Sequence, residues 1–549
     1  MKNTNVFERA LLTLLLLGFA GGAANAQAQK QSPAKHGSSF VSGKDAVPVK
    51  LDTIPVTTKS AEARQDYQTG MLEYEDLLLV DEGVNHLREA VKADPHFALG
   101  HAMLAFATFD PVEAHKHRVL AKQYMAGASP DERLQIRWLN GTKDGQIVPA
   151  IAAMNDLLAK YPNDKQFADT VGAWLCTGEQ AYDRGADILE RVLQRDPEYA
   201  PAMNNLAYCY ALGGRAQLSP PWLEKYVVAL PDQPNPQDSY AEISRMMGNF
   251  PAALEHYNTA LKMSPSFTAS QVGLATTYAL MGEQERARGE YVKAMGMTKD
   301  DATIMNYGLL SAMTYFREGK IEEGRKAYKD IAADAHKKEF AVQEAEAHRS
   351  MALFNPDVKG AFRDLDAARA VLAQAHVLSA GDHDTELATI LQTRAYIAAR
   401  SVNLEEAKAA LAPLSTMART SRSNIAQQAY HSANGAVLLL QGIYAEAVSE
   451  LQYDSRNPLS LQLLSEAETK AGEPGAGHEI LVKLAGINDE RIETAYVVPQ
   501  ARVSLKAASA PSAQPAAAQP AAPAQPAAAL SSTAAVPPRA SGLRGGPLD

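Results

Sequence analysis

The middle of this 549-residue chain contains a recurrence with a spacing of 34 residues. Three alanines, a glycine and a tyrosine return at matching positions: Ala241 and Ala275, Gly248 and Gly282, Ala253 and Ala287, Tyr257 and Tyr291, and Ala260 and Ala294. Alanine is common here, but glycine and tyrosine at the same offset argue against a chance match. A fixed period of this length predicts one small structural unit stacked many times, with a core that runs along the stack.

The period extends in both directions from this pair of copies. Further members are Ala173, Ala207 and Gly214 before it and, after a slip of three residues, Ala312, Tyr315, Gly319 and Tyr328. Three prolines, Pro95, Pro197 and Pro265, are also separated by multiples of 34. Turn residues interrupt the helical apolar pattern and no series of alternating strands is present, so the pattern predicts an all-α fold.

The recurring residue types suit a pair of packed helices. Small residues at Ala241 and Ala253 let two antiparallel helices approach closely. Gly248 is expected to end the first helix in a left-handed cap, which glycine adopts without steric cost. Tyr257 is expected to fill the gap to the next unit, and Pro265 to end the second helix.

This order of residues resembles the tetratricopeptide repeat, a 34-residue helix–turn–helix unit. The clearest copy runs from Leu274 to Tyr278 and continues through Gly282, Ala287, Tyr291 and Ala294. The resemblance implies a right-handed superhelical solenoid of antiparallel helix pairs, with roughly a dozen pairs in the ordered length. A proline-rich insert, residues 218–222, is expected to distort the second helix of the repeat that begins near Tyr199.

Local composition divides the chain into six segments. We predict a signal peptide over residues 1–26, a disordered leader over 27–58, divergent helical repeats over 59–165, tetratricopeptide repeats over 166–335, divergent repeats of the same type over 336–500, and a disordered Pro/Ala-rich tail over 507–549. The signal peptide is indicated by a charged start, a short apolar run from Leu11 to Ala20, and the small-residue sequence that ends at Ala26. We therefore expect an exported protein, periplasmic or secreted, with no membrane span in the mature chain.

Two cysteines, Cys176 and Cys209, lie about one repeat apart. An exported compartment permits a disulfide. Equivalent positions on packed helices are about 8–10 Å apart, which is beyond normal disulfide reach. The sequence therefore favours two buried thiols and leaves a bridge as the alternative.

The sequence contains no recognisable catalytic motif. We found no zinc helix, nucleophile elbow, phosphate loop or calcium loop. His115 and His117 point about 200° apart on a helix, so they cannot chelate one ion. We predict no enzyme activity, no cofactor and no metal, and the net charge of −10 with no basic cluster argues against nucleic acid as a partner.

A binding surface follows from the resemblance, because tetratricopeptide-repeat proteins bind extended peptides along the groove that the first helices line. Stacking equivalent positions gives a candidate ladder: Thr170, Trp174, Asn204, Tyr208, Asp238, Glu242 and Arg245. Aromatic anchors with polar neighbours suit peptide recognition. Trp174 and Tyr208 could instead fill the space between repeats. Stacked lysines and arginines are absent, so the ladder does not predict a clamp for a C-terminal carboxylate.

The predicted function is that of an exported scaffold or adaptor that binds other proteins through the concave face of the array. The alternative is an enzyme or processing factor that uses the repeats to dock its substrate, with catalytic residues in the less regular regions 64–165 or 339–500. A self-associating structural array is a third hypothesis. The sequence does not identify the partner.

Overall fold

The computed structural model describes residues 53–76, 80–108 and 110–509. These residues form twenty-five α-helices and contain no β-strand. The helices are α1 (Ala61–Met71), α2 (Val80–Ala93), α3 (Ala98–Ala107), α4 (Pro111–Tyr124), α5 (Pro130–Lys143), α6 (Ile147–Lys160), α7 (Lys165–Thr177), α8 (Tyr182–Arg195), α9 (Ala200–Tyr210), α10 (Pro220–Ala229), α11 (Asn235–Met246), α12 (Phe250–Met263), α13 (Thr268–Met281), α14 (Gln284–Met297), α15 (Asp301–Arg317), α16 (Ile321–Lys337), α17 (Ala341–Leu353), α18 (Val358–Gln374), α19 (Ala380–Arg400), α20 (Leu404–Thr420), α21 (Asn424–Gln441), α22 (Tyr444–Gln452), α23 (Pro458–Lys470), α24 (Pro474–Ala485) and α25 (Ile492–Ser509).

Consecutive helices pack in pairs, from α1 with α2 to α23 with α24, and α25 follows as a single helix. The first helices of successive pairs also stack on one another, as α3 does on α5, α7 on α9 and α11 on α13. We call the side that they form the first-helix face. The predicted all-α array of helix pairs is confirmed. The predicted signal peptide, residues 27–52 of the predicted leader and residues 510–549 of the predicted tail lie outside the described residues.

The glycine at the end of the first helix takes the predicted conformation. Gly248 has φ 79° and Gly282 has φ 91°, both in the left-handed region. At Gly282 the backbone amide of Glu283 donates to the carbonyl of Tyr278 over 2.9 Å, which closes the helix end. The cap turns the chain into the second helix of the pair, and its recurrence sets the period of the array.

Small residues and tyrosines build the core between the helices. Ala241, Ala253 and Ala275 are fully buried, and Tyr257 and Tyr291 are 1% exposed. The ring of Tyr257 occupies the space where a Cβ at Gly273, in the next repeat, would lie. The predicted role of Tyr257 in joining one repeat to the next is therefore confirmed.

The proline-rich insert alters one repeat as expected. After α9 the chain makes a π-helical turn over Ala211–Arg215 and a short 3-10 turn over Ala216–Leu218. Its second helix, α10, begins at Pro220 and has 10 residues, where α8 and α12 have 14. Pro220 stands at the helix start, where its missing N–H costs no hydrogen bond.

Cys176 and Cys209 form a disulfide. The expectation of two unpaired thiols is therefore wrong. The spacing of 33 residues is one short of the period, so the two cysteines occupy facing positions on the stacked helices α7 and α9. Their Cα atoms are 5.3 Å apart, within the usual disulfide range.

Candidate protein-binding surface on the first helices

The seven ladder residues lie on three successive first helices. Thr170 and Trp174 are on α7, Asn204 and Tyr208 on α9, and Asp238, Glu242 and Arg245 on α11. The two residues of α7 are half-buried, and the other five are buried. The structure therefore divides the ladder into an accessible end on α7 and a buried end on α9 and α11.

The accessible end presents an indole ring beside a hydroxyl group. The ring of Trp174 packs edge-on against Trp138 of α5, with ring centres 5.8 Å apart. Trp138 is 1% exposed, so the indole of Trp174 packs on a buried ring. The hydroxyl of Thr170 donates to the carbonyl of Gln166 over 2.9 Å. A half-exposed indole on a rigid support can anchor an incoming side chain.

The buried end is a chain of charged hydrogen bonds. The hydroxyl of Tyr208 donates to Glu242 over 2.8 Å, and the guanidinium of Arg245 donates to the other oxygen of Glu242 over 3.2 Å. Arg245 also donates to the carboxylate of Glu490 over 2.7 Å. Arg245 and Glu490 are both almost completely buried. This ion pair joins α11 to the segment just before α25.

That segment, residues 487–491, has no regular secondary structure. Arg245 donates to the carbonyl of Asn488 over 3.4 Å, and Arg317 of α15 donates to the carbonyl of Asp489 over 3.2 Å. Two first-helix arginines thus hold the main chain of an irregular stretch. No pattern in the sequence connects Glu490 with Arg245, because their separation of 245 residues reflects how the array folds back on itself and not the repeat.

Other contacts place the C-terminal third of the array against the first-helix face. Lys143 at the end of α5 forms an ion pair of 2.9 Å with Asp382 of α19. The side-chain amide of Asn424 in α21 donates to the carbonyl of Glu179 over 2.7 Å. Arg349 of α17 is paired with Glu493 of α25. The chain therefore occupies much of its own first-helix face.

The turn before α23 adds a further contact of this kind. Arg456 donates to the carbonyls of Leu212 and Gly213 over 3.0 and 2.9 Å. Its guanidinium also lies over the ring of Tyr182, 4.3 Å from the ring centre. Two carbonyls of the π-helical turn that follows α9 thus accept hydrogen bonds from a side chain more than two hundred residues away.

Burial changes the charge of the acidic ladder residues. It raises the pKa of Asp238 to about 8, although a hydrogen bond of 2.6 Å from Ser270 opposes the shift. It also raises the pKa of Glu242 to about 7, against the opposing charge of Arg245. The second carboxylate oxygen of Asp238 has no hydrogen-bond partner among the described residues. A protonated Asp238 at neutral pH avoids the cost of an isolated buried charge.

The histidines that the sequence singled out are separated by the fold. His115 is exposed, and His117 is buried against His101 of the preceding helix. The pair that forms is therefore His101 with His117. Across residues 53–76, 80–108 and 110–509 there is no group of three or more His, Cys, Asp or Glu side chains that could hold a metal ion.

The fold defines a helical-repeat protein, and the comparisons with known proteins specify the repeat. A family model described as tetratricopeptide repeat matches residues 179–234 and 246–301. The chain therefore contains tetratricopeptide repeats, and proteins built from such repeats generally serve as scaffolds for protein–protein interaction. No helix in the described part of the chain has the length and apolar character needed to span a bilayer.

Several solved structures are similar to parts of the chain. A tetratricopeptide repeat protein from Parabacteroides merdae is 15% identical, covering 49% of this chain and 93% of its own, with a TM-score of 0.31. PilF from Pseudomonas aeruginosa is 16% identical, with coverages of 38% and 91% and a TM-score of 0.27. The human IFIT1 dimer with PPP-AAAA is 15% identical, with coverages of 79% and 95% and a TM-score of 0.35. No curated protein sequence matches significantly.

Proposed function

We propose that this protein is an exported scaffold that binds other proteins or extended peptides through its first-helix face. The observation that carries the proposal is the way this face holds residues 488–490. Arg245 and Arg317 donate hydrogen bonds to main-chain carbonyls there, and Arg245 pairs with the carboxylate of Glu490. A face that binds an irregular stretch of its own main chain has the chemistry to bind another.

The partner would enter at the end of the ladder that the chain leaves accessible. Thr170 and Trp174 are half-buried there, while the ladder from Asn204 to Arg245 is buried. In this proposal Trp174 supplies the apolar anchor, because aromatic side chains on rigid supports dominate binding energy at interfaces. The ladder residues on α9 and α11 hold the array closed beneath the bound partner.

Export is the second part of the proposal. It is supported by the signal-peptide pattern that ends near Ala26 and by the Cys176–Cys209 disulfide, since disulfides persist in oxidising compartments. The mature protein would begin near Gln27 and act in a periplasm or after secretion. If the protein isolated from the cells that produce it still began at Met1, this part of the proposal would be contradicted.

The binding proposal is tested by placing a photo-reactive residue at Thr170 in the full-length protein and cross-linking in the cell that produces it. A matched control carries the same residue at Val292, which is 61% exposed on the second helix α14. We expect a discrete cross-linked partner from position 170 and none from position 292. Trp174→Ala should remove that product while leaving helix content and the disulfide intact.

Equal products from both positions, or a product from position 170 that persists in Trp174→Ala, would exclude the proposed surface. The absence of any product from position 170 would favour the alternative of a processing factor with its active residues in the less regular regions.

A further inference from the structure

A cavity of about 390 Å³ lies between α2, α3 and α4, away from the first-helix contacts described above. Its size falls within the range of about 300–1,000 Å³ that is usual for small-molecule sites. Apolar groups contribute to its lining, among them Val91, Leu104 and Leu120. Tyr124 adds an aromatic wall, which His96 supports edge-on at 4.6 Å between ring centres.

Cationic groups also line the cavity. Arg88, Lys92 and Lys116 line it, together with a single carboxylate, Glu113. Arg88 binds both oxygens of Glu113 over 2.8 Å, and Thr108 donates a further hydrogen bond of 2.5 Å to the same carboxylate. Lys116 is exposed and has no carboxylate partner in the described part of the chain. Arg88 is paired with Glu113 and Lys92 with Glu89 over 2.7 Å, so Lys116 is the lining cation that remains uncompensated in the described part of the chain.

Two buried histidines, His101 and His117, also line the cavity. His101 places Nε2 3.0 Å from the carbonyl of Pro95. A carbonyl only accepts, so this nitrogen carries the proton, and Nδ1 of His101 must accept from Nδ1 of His117, 2.7 Å away. Nε2 of His117 is therefore unprotonated, and its lone pair has no hydrogen-bond partner among the described residues. His117 itself is 6% exposed.

We propose that this cavity binds a carboxylate attached to an apolar group, with the carboxylate between Lys116 and Nε2 of His117 and the apolar group against Val91, Leu104 and Leu120. A carboxylate only accepts hydrogen bonds, so Nε2 of His117 must take up a proton when the ligand binds. That proton leaves both existing hydrogen bonds of the histidine pair in place. Binding is therefore coupled to the uptake of one proton.

The surroundings of His117 favour its neutral form. Burial, with the neighbouring His101 and Lys116, lowers the pKa of His117 to about 4. The titratable and charged groups that act on His117 are Arg88 from α2, His101 from α3, and Glu113 and Lys116 from α4. Asp94 and His96, in the turn between α2 and α3, act on His101, and Lys92 of α2 also lines the cavity. An added carboxylate favours the protonated form, so affinity should rise as the pH falls from 7.5 to 5.5.

Isothermal titration of the full-length protein with phenylacetate tests the proposal, with phenylacetamide as the uncharged control. We expect phenylacetate to bind several-fold more tightly at pH 5.5 than at pH 7.5, with proton uptake visible as a dependence on the buffer's ionisation enthalpy. Phenylacetamide should bind at least tenfold more weakly. Equal affinity for acid and amide, or affinity that does not change with pH, would overturn the proposal.

Two variants and one control variant assign the contacts. Lys116→Met should weaken phenylacetate binding at least fivefold, whereas Lys122→Met, on the same helix but paired with Asp144, should not change it. His117→Gln keeps a side-chain donor toward His101 and should remove the dependence of affinity on pH. Equal affinities for Lys116→Met and wild type, with both proteins folded, would contradict the assigned head-group site.

The source of the carboxylate is resolved by one further ligand, N-acetylglycyl-phenylalanine. Tighter binding of this peptide than of phenylacetate would assign the cavity to a polypeptide C-terminus, and the reverse would assign it to a free small acid. Binding of neither compound at millimolar concentration would overturn the proposal. None of these outcomes depends on the first-helix face, so the two proposals can fail separately.

Discussion

Arg245 and Glu490 form a buried ion pair of 2.7 Å, although 245 residues separate them in the chain. The arginine lies on α11 and the glutamate in the irregular stretch before α25. The pair shows that the array folds back on itself, because a simple extended stack would keep these two residues apart. It also explains why most of the predicted ladder is buried.

Replacing Arg245 by alanine should destabilise the protein strongly. The substitution leaves Glu490 as an uncompensated charge in the interior, which costs about 3–5 kcal/mol when one partner of a buried pair is removed. The midpoint of urea denaturation measures the effect. Lys326→Ala is the matched control, since its ion pair with Asp330 is exposed and should contribute less than about 1 kcal/mol. Equal losses in the two variants would show that Arg245 is not in a closed interior.

The disulfide should link α7 to α9 in the exported protein. Mass spectrometry of a non-reduced digest should find the peptides of Cys176 and Cys209 joined. Replacing both cysteines by alanine should lower the free energy of unfolding by about 3–4 kcal/mol, given the loop-closure entropy of a 33-residue separation. Free thiols in the native protein, or a double variant as stable as the wild type, would count against the bridge.

Asp238 should make the protein less stable at alkaline pH. Its pKa is about 8 in the folded state and about 4 in an unfolded chain. The folded state therefore binds the extra proton, so stability is fully present below the unfolded pKa and is lost as the pH rises through the folded pKa. We expect a decrease on the order of 2 kcal/mol between pH 6 and pH 8.

Asp238→Asn keeps an oxygen that accepts from Ser270 and should reduce this pH dependence. Urea denaturation of wild type and variant at both pH values measures it. The exposed substitution Asp330→Asn serves as the control. A wild-type protein that is more stable at pH 8 than at pH 6 would refute the charge state assigned to Asp238.

Two glycines on the consecutive helices α13 and α14 should have opposite effects on stability when each is replaced by alanine. A Cβ at Gly273 of α13 would overlap the buried ring of Tyr257, so Gly273→Ala should destabilise by about 1–3 kcal/mol through overpacking. A Cβ at Gly289 of α14 would meet nothing within 4 Å, so Gly289→Ala should stabilise by about 0.5–1 kcal/mol. Thermal denaturation compares them, and the same sign for both would contradict the packing of Tyr257.

The repeat architecture was predictable because its determinants are local. A left-handed glycine such as Gly248 and a space-filling tyrosine such as Tyr257 act within one unit or on the next, so each period of 34 residues displays them. The contacts of Glu490 were not predictable, because how far the array curves depends on many small rotations between repeats, and no residue pattern records their sum.

One wrong expectation, for the cysteines, and one contact that was not foreseen, between two histidines, have simpler causes. Cys176 and Cys209 were treated as equivalent positions, although a spacing one residue short of the period turns them toward each other. His117 was compared with His115 on its own helix, whereas its partner, His101, is on the preceding one. In both cases the informative neighbour lies across a helix pair, and only the packing identifies it.

Zero-length carbodiimide cross-linking of the monomeric protein, followed by mass spectrometry, tests the central claim that the C-terminal repeats lie on the first-helix face. Lys143 and Asp382 are 2.9 Å apart and both partly accessible, so we expect a cross-link between their peptides. Lys160 and Asp131, paired at 2.5 Å across one helix pair, provide the internal control. A Lys160–Asp131 product without a Lys143–Asp382 product would show that the array remains open and would contradict the account.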